Sequence, residues 1–233
     1  ANGQQQLVSV KIDPEAIDPG QIQGEVEFRD VSFTYDGFAR ILDRVSFKAT
    51  QGEMIGIVGP SGAGKSTLVN LISRFYDATD GQILVDGKPI EQLEQRKLRS
   101  QIGVVLQDPL LFQGSIAENI AYGRPMATRQ QIIAAARAAN AHRFIMGFPD
   151  GYDTQVGERG GRLSGGERQR ISVARALIGD PRILILDEAT AMFDPQGELE
   201  FLEACRDLLA SRTVLLITHR PAPLAIASRT IRL

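Results

Sequence analysis

The feature that most constrains the fold of this chain is the segment Gly-Pro-Ser-Gly-Ala-Gly-Lys-Ser at residues 59–66. It satisfies the pattern G-x-x-x-x-G-K-[ST], in which glycines let the backbone curl so that successive N–H groups point at one anion. A short apolar run at 54–58 precedes it, and a helical pattern over 67–76 follows. This strand–loop–helix order predicts a phosphate-binding turn at the start of a helix.

The residues of this loop have distinct expected roles at a nucleoside triphosphate. Lys65 supplies a positive charge for the β- and γ-phosphates, and Ser66 offers a hydroxyl to Mg²⁺. The residues expected to contact the nucleotide here are Gly59, Pro60, Ser61, Gly62, Ala63, Gly64, Lys65, Ser66 and Thr67. By itself the motif predicts binding of a nucleoside triphosphate and no particular use for it.

A second motif places two carboxylates at the end of a buried strand. Four apolar residues at 183–186 are followed by Asp187 and Glu188. Ligands of open α/β sheets bind at the carboxyl ends of the strands. Asp187 is placed there to hold Mg²⁺ through water, and Glu188 to polarise an attacking water as a general base.

The remaining pattern predicts an α/β domain preceded by a linker. Residues 1–24 contain three consecutive glutamines and two prolines, which discourage regular structure. Apolar residues at period-two spacing predict one or two strands within 26–35 and another strand at 41–49.

Helical periodicity dominates the middle of the chain, at about 108–177, and includes an alanine-rich run at 130–148. Strands return at 182–186, 213–218 and near 230–233, with a helix at about 197–210 between the first two. Strands that alternate with helices imply a parallel sheet covered on both faces.

Composition restricts the partners and the compartment. The formal net charge is −2, so the chain lacks the basic footprint of a nucleic-acid-binding protein. No apolar window reaches the length of a membrane span, and the N-terminus does not resemble a signal peptide. The single cysteine, Cys205, has no partner for an internal disulfide. We therefore expect a chain without membrane spans of its own, in a reducing compartment.

The segment Leu163-Ser164-Gly165-Gly166-Glu167 resembles the signature motif of ABC ATPases, although that motif most often ends in glutamine. It lies between the phosphate loop and the carboxylate pair, and the resemblance extends from residue 25 to the end. The resemblance implies a P-loop NTPase core with a mostly parallel sheet, an N-terminal antiparallel β subdomain and an inserted helical subdomain. It therefore predicts an ABC ATPase domain at 25–233, with the helical subdomain at about 108–177.

The resemblance also assigns roles to residues outside the two motifs. Tyr35 matches the aromatic residue that stacks on adenine, Gln107 matches the glutamine that senses Mg²⁺ and the attacking water, and His219 matches the histidine that contacts the γ-phosphate. Further ATP contacts are expected at Ile41, Ser164, Gly165, Gly166 and Asp194. The expected catalytic residues are Glu188, His219, Gln107 and Lys65, and the expected Mg²⁺ ligands are Ser66, Gln107 and Asp187. Met192 and Phe193, just before Asp194, depart from the small residue and leucine usual in the family.

Two stretches resemble the exporter branch of the family, one at 112–120 and one at 154–160. The resemblance implies a head-to-tail dimer in which the signature of each copy closes over the ATP of the other. It also implies a transmembrane domain on the same full-length chain, with the ATPase on the cytoplasmic face of the membrane. The sequence leaves open a separate subunit that docks on a membrane permease. A soluble ABC ATPase of DNA repair is disfavoured, because the chain has no room for a long coiled coil. A regulatory module without hydrolysis is disfavoured by the presence of both Glu188 and His219.

Overall fold

The computed structural model of the chain describes residues 22–157, 160–193, 197–198, 201 and 211–233. Its strands are β1 (Val26–Phe33), β2 (Leu42–Ala49), β3 (Met54–Val58), β4 (Asp80–Val85), β5 (Lys88–Pro89), β6 (Ile102–Val105), β7 (Ile183–Asp187), β8 (Thr213–Ile217) and β9 (Arg229–Arg232). Its α-helices are α1 (Lys65–Ile72), α2 (Gln95–Ser100), α3 (Ile116–Ala121), α4 (Arg129–Ala138), α5 (His142–Ile145), α6 (Gly165–Leu177) and α7 (Pro221–Ala225), with short 3-10 turns at Ile90–Gln92 and Gly151–Asp153.

One sheet is antiparallel and has the strand order β2-β1-β4-β5. Phe28 in the central strand pairs with Phe47 on one side and Ile83 on the other, and the two phenylalanine rings stack with centroids 4.6 Å apart. Because β4 and β5 follow α1 in the chain, segments from both sides of the phosphate loop build this sheet. The predicted N-terminal antiparallel subdomain is confirmed, with these two later strands added to it.

The second sheet is parallel and has the order β6-β7-β8-β3-β9. Side chains of β7 alternate between two cores, as the pleat of a strand requires. Leu184 and Leu186 pack with α3, α4 and α6, whereas Ile183 and Ile185 pack with α1 and the antiparallel sheet. The parallel sheet is therefore covered on both faces, which confirms the predicted α/β architecture and its inserted helices.

Several element boundaries differ from those that the sequence pattern predicted. Helix α1 ends at Ile72 and does not reach residue 76, because Arg74 takes a left-handed backbone conformation with φ of 51°. The sequence pattern did not identify β4, β5, α2 and β6. The helix predicted at about 197–210 lies almost wholly outside the described residues.

The segment predicted as a linker is described only at its end. Ile22 is buried, and the backbone N–H groups of Gln23 and Gly24 donate to the carboxylate of Asp86 at 2.7 and 3.0 Å. Residues 22–24 therefore pack on the antiparallel sheet. Within the described part of the chain, no helix has the length and apolar character needed to cross a membrane.

Candidate nucleotide-binding site

The phosphate loop connects β3 to α1 and closes tightly on β2. Gly62 and Gly64 have positive φ angles of 81° and 92°, which glycine adopts without steric cost. A Cβ on Gly64 would lie 2.5 Å from Leu42 Cδ2 and 3.0 Å from the carbonyl oxygen of Ile41. Only glycine therefore allows the start of β2 to pack directly against this loop.

The first turn of α1 keeps its backbone N–H groups free of capping side chains. Its N-cap residue is Gly64, with no side-chain hydrogen bond and no acidic residue in the first turn, whereas α3, α4 and α6 all begin with capping boxes. Lys65 Nζ donates to the carbonyl oxygens of Gly59 at 2.9 Å and Pro60 at 2.8 Å. The ammonium thus lies over the loop, beside N–H groups suited to an anion.

Tyr35 and Ile41 lie against the phosphate loop and α1. The Tyr35 hydroxyl is 3.2 Å from Thr67 Oγ1, and its ring makes edge contacts with Phe33 and Tyr76. About half of the Tyr35 side chain is exposed. Ile41 borders Gly64 and donates its N–H to Phe33. The expected adenine platform is therefore next to the expected phosphate site, and the exposed part of Tyr35 is accessible to a ligand.

Three expected catalytic and metal-binding residues meet at the carboxyl ends of β7 and β8. Glu188 Oε1 is 3.2 Å from His219 Nδ1, and the Glu188 N–H donates to Ile217 at 2.8 Å. Burial raises the pKa of Asp187, the adjacent Glu188 carboxylate raises it further, and Lys65 lowers it. The strand ends thus hold concentrated negative charge beside the ammonium of the phosphate loop.

The donor set suits a hard cation. The side chains expected to ligate Mg²⁺ present a hydroxyl, an amide oxygen and a carboxylate, which are the oxygen ligands that Mg²⁺ prefers. Within the described residues no cluster of three or more metal-binding His, Cys, Asp or Glu side chains is present.

The segment that carries Gln107 is held by two residues of α6 that sequence reasoning missed. Gln107 is exposed just beyond β6. The buried Gln169 donates its amide to the Leu106 carbonyl at 3.2 Å, and Arg175 donates to the Leu110 carbonyl at 2.7 Å. The signature helix therefore fixes the backbone on both sides of Gln107. The only sequence signal for Gln169 and Arg175 was their position on a face of the predicted helix. That position does not reveal that they hold backbone carbonyls of another segment.

The signature residues lie at the start of α6, beside the edge of the parallel sheet that is remote from β3. α6 packs on β6, and the strands β7 and β8 separate β6 from β3, a distance of roughly 14 Å at ordinary strand spacing. The Ser164 hydroxyl, at the N-cap of α6, donates to Glu167 Oε2 at 2.8 Å. The structure does not bring the signature and the phosphate loop of one chain together.

Met192 and Phe193 pack beneath the signature glycines. A Cβ on Gly165 would lie 3.3 Å from the Met192 side chain, and one on Gly166 would lie 3.3 Å from the Phe193 ring. The Phe193 ring also stacks on Phe201, with centroids 5.2 Å apart. The large residues at 192–193 therefore fill the space under the start of α6. Asp194, expected to contact ATP, lies outside the described residues.

Arg220 is a second group that sequence reasoning missed, although it directly follows His219. Its Nη1 donates to the Thr190 carbonyl at 2.5 Å and the Phe193 carbonyl at 3.3 Å. The same atom is 3.2 Å from the carboxylate of the buried Glu198. Arg220 therefore ties the histidine segment to the segment that follows β7.

The two exporter-like stretches contact each other. Ser115 and Gln155 form an antiparallel bridge, and Ile116 donates its N–H to Thr154 at 3.0 Å. Residues 158–159 of the second stretch lie outside the described part. The exposed rings of Phe112 and Tyr122 stack nearby, with centroids 4.4 Å apart.

Comparison with known proteins agrees with this arrangement. The sequence profile of the family described as ABC transporter matches residues 42–191. The chain is 52% identical over 219 residues to the putative multidrug export ATP-binding/permease protein YgaD of Bacillus subtilis (strain 168), covering 94% of this chain and 38% of that protein. It is 49% identical over 217 residues to the ATP-dependent lipid A-core flippase of Syntrophus aciditrophicus (strain SB), covering 93% of this chain and 36% of the relative.

A solved structure is also similar. It is described as a bacterial Atm1-family ABC exporter with ATP bound, and it matches with a TM-score of 0.86 and 43% sequence identity. The match covers 94% of this chain and 39% of that one. The chain thus spans under two fifths of the length of these relatives. With its phosphate loop, paired carboxylates and signature segment in the matched region, the chain belongs to the ABC transporter family.

Proposed function

We propose that this chain is the ATP-binding and ATP-hydrolysing motor domain of an ABC exporter. The observation that carries the proposal is the contact between Glu188 and His219, 3.2 Å apart at the strand ends and beside Lys65 of the phosphate loop. A domain that only bound nucleotide would not need a carboxylate and an imidazole together there. The names of the relatives, a multidrug exporter and a lipid flippase, support transport as the use of the energy.

The proposed chemistry is in-line attack of water on the γ-phosphate. The free N–H groups of α1 and the Lys65 ammonium hold the phosphates, while Tyr35 stacks on adenine. Glu188 accepts a proton from the attacking water, and His219 stabilises the charge on the transferring group. Ser66, Gln107 and Asp187 would hold Mg²⁺, which neutralises phosphate charge when bound.

We further propose that two copies, or this chain and a related domain, sandwich two ATP molecules head to tail. The signature is too far from the phosphate loop of its own chain to serve the ATP bound there. In a head-to-tail pair, Ser164 and Gly166 of each copy would instead close over the γ-phosphate in the other. Hydrolysis would then remove the group that holds the two copies together.

The proposed second partner is a transmembrane domain, with this chain docked on it at the cytoplasmic face of the membrane. An apolar groove of about 320 Å³ lies between α1 and β6, with Phe75 and Leu106 exposed at its edge. Phe112 and Tyr122 expose further aromatic surface beside the exporter-like stretches. Exposed apolar surface of this kind marks protein-interaction sites, and the greater length of the relatives supports a membrane part as the occupant.

The proposal is tested by separating ATP binding from hydrolysis in the 233-residue chain. Glu188→Gln keeps the side-chain shape but cannot accept a proton, so we expect normal MgATP affinity and turnover lowered by at least about 100-fold. Lys65→Ala removes charge from the phosphates, so both affinity and turnover should fall. Nucleotide titration and phosphate release measure the two quantities.

A matched control is Glu91→Gln, which neutralises a carboxylate outside the site and should leave both quantities unchanged. Wild-type turnover in Glu188→Gln at saturating ATP would refute the general-base assignment. Absence of ATP binding by the wild-type chain would refute the proposed function itself.

A further inference from the structure

Three helices of this chain begin with the same capping arrangement, but their hydroxyl groups are used differently. In α3 and α6 the N-cap serine donates its hydroxyl hydrogen to a glutamate, from Ser115 to Glu118 at 2.9 Å and from Ser164 to Glu167 at 2.8 Å. In α4 the corresponding pair is a threonine and a glutamine, and within the described residues these exchange only bonds that involve a backbone N–H. A glutamate at the third helical position thus captures the hydroxyl hydrogen.

This capture matters at Ser164, which is expected to donate to phosphate. A serine hydroxyl has one hydrogen and two acceptor lone pairs. Ser164 Oγ gives its hydrogen to Glu167 Oε2 and accepts the Glu167 N–H at 3.3 Å. Only a lone pair remains for an outside group, and a lone pair repels a phosphate oxygen. Ser164 must therefore withdraw its hydrogen from Glu167 before it can bind phosphate.

The Glu167 charge adds a second opposing effect. If the capping arrangement persisted, a phosphate oxygen bonded to Ser164 Oγ could lie no farther than about 5.5 Å from Glu167 Oε2. The carboxylate also offsets the positive end of the α6 dipole. Within the described residues, Glu167 has its hydrogen bonds with Ser164 and no ion pair that would neutralise it.

We infer that Glu167 lowers the affinity of the signature segment for the γ-phosphate of a bound ATP, by competing for the Ser164 hydroxyl hydrogen and by charge repulsion. The inference rests on the proposed ATP-sandwich dimer. It makes Glu167 a residue that sets how much ATP is needed to close the dimer. A glutamine at this position, the residue more usual in the motif, would lack the charge and leave the hydroxyl hydrogen free, as in α4.

The test uses Glu188→Gln, which should accumulate the ATP-bound dimer because hydrolysis is blocked. Light scattering coupled to size exclusion measures the dimer fraction as MgATP is raised. Adding Glu167→Gln should lower the ATP concentration for half-maximal dimer on the order of tenfold, the effect of one hydrogen bond to a charged group. ATP affinity of the monomer, measured at low protein concentration, should not change.

Two controls separate this effect from helix capping and from net charge. Glu118→Gln makes the same chemical change in the capping box of α3 and should leave the ATP dependence of the dimer unaltered. Glu167→Asp keeps the charge and should give no gain.

If Glu167→Gln shows no gain while MgATP still drives dimerisation, the inference is wrong and the proposed function stands. An equal gain in Glu118→Gln would also refute the inference. If MgATP drives no dimer in any variant, both the inference and the proposed sandwich are refuted.

Discussion

Two residues at the end of β7 lie in unfavourable surroundings. Burial and the Glu188 carboxylate both raise the pKa of Asp187, so ionisation of Asp187 costs free energy in the folded chain. Glu188 has a positive φ of 46°, a conformation that costs about 1–2 kcal/mol for a residue with a Cβ. A strained backbone beside two crowded carboxylates is common at functional sites.

We therefore predict that Asp187→Asn stabilises the chain in the absence of nucleotide while impairing its activity. A raised pKa in the folded state means that ionisation of the carboxylate destabilises the fold, and this cost is present above the pKa of the unfolded chain. The variant should melt higher at pH 7.5 by on the order of 2–4 °C, the shift that about 1 kcal/mol produces in a domain of this size. Thermal unfolding followed by circular dichroism measures the gain.

The pH dependence provides a check on the cause. The gain should shrink as the pH falls through the raised pKa and vanish below the unfolded value, because Asp187 is then protonated in both states. Asp150→Asn, a change at an exposed carboxylate, is the matched control and should melt like the wild type at each pH. A gain in Asp187→Asn that is independent of pH would rule out the charge explanation.

At the scale of secondary-structure elements, Arg220 joins the ends of β7 and β8. It holds the Thr190 and Phe193 carbonyls on one side and directly follows His219 on the other. Phe193 in turn lies under Gly166 of the signature helix. A continuous set of contacts thus runs from the histidine segment to the start of α6. Rigid connection of these elements fixes where His219 and the signature lie relative to each other.

We predict that Arg220→Gln lowers both stability and turnover, and that the two effects can be separated. Removing the guanidinium leaves the buried Glu198 carboxylate without its charge partner, which should cost up to about 3 kcal/mol. The double variant Arg220→Gln/Glu198→Gln removes that buried charge and should regain stability. Turnover should stay low, because the bonds to the Thr190 and Phe193 carbonyls are weakened. Urea unfolding and phosphate release measure the two effects.

Arg220→Lys provides the conservative comparison, since it keeps the charge but cannot bridge both carbonyls as a guanidinium does. It should retain more stability than Arg220→Gln and regain only part of the turnover. Full recovery of turnover in the double variant would show that Arg220 acts through stability alone.

The sequence predicted the elements that flank its motifs better than those without a motif. β3, α1 and β7 adjoin the phosphate loop or the carboxylates, and their existence was evident. β6 has only four residues, Ile-Gly-Val-Val, and a glycine occupies one of its two buried positions, so the sequence lacked an alternating apolar pattern. Helix α1 ended early at Ile72, and neither a glycine nor a proline marks that end. Such features depend on tertiary packing, which local pattern does not contain.

The same limit applies to the site. The groups with a fixed motif spacing, such as Lys65 and Glu188, were predicted, and the structure places them after the carboxyl ends of β3 and β7, at the same edge of the parallel sheet. The ion pair of Arg220 with Glu198 joins residues that are remote in the chain and belong to no motif. Contacts of this kind follow from the fold and could not be read from spacing.

At the scale of the whole molecule, the separation of Ser164 from its own phosphate loop predicts that ATP is needed to join two copies. In a Glu188→Gln background, MgATP should produce a dimer and MgADP should not, because the γ-phosphate is missing. Adding Ser164→Arg should abolish the dimer, since a bulky side chain blocks closure. ATP affinity of the monomer should remain within about twofold of the background value, because the phosphate loop is untouched. Light scattering and nucleotide titration measure the two quantities.

Ser100→Arg is the matched control, because it adds the same side chain at an exposed serine at the end of α2. It should preserve the ATP-dependent dimer. A dimer that persists in Ser164→Arg would mean that the interface is not formed by the signature and the phosphate loop.

The order of strands in the parallel sheet has a consequence for how the chain acquires its structure during synthesis. β3, which leads into the phosphate loop, pairs with β8 and β9, whose residues lie at 213–217 and 229–232. The ribosome makes both neighbours of this strand after it has made the other seven strands that the structure describes. The helices α3 to α6 pack largely on one another and can form before β8 and β9 have left the ribosome. The growing chain would therefore carry an organised helical region for some time before β3 is enclosed on both sides, and its ability to hold nucleotide would appear only after β8 and β9 have been synthesised.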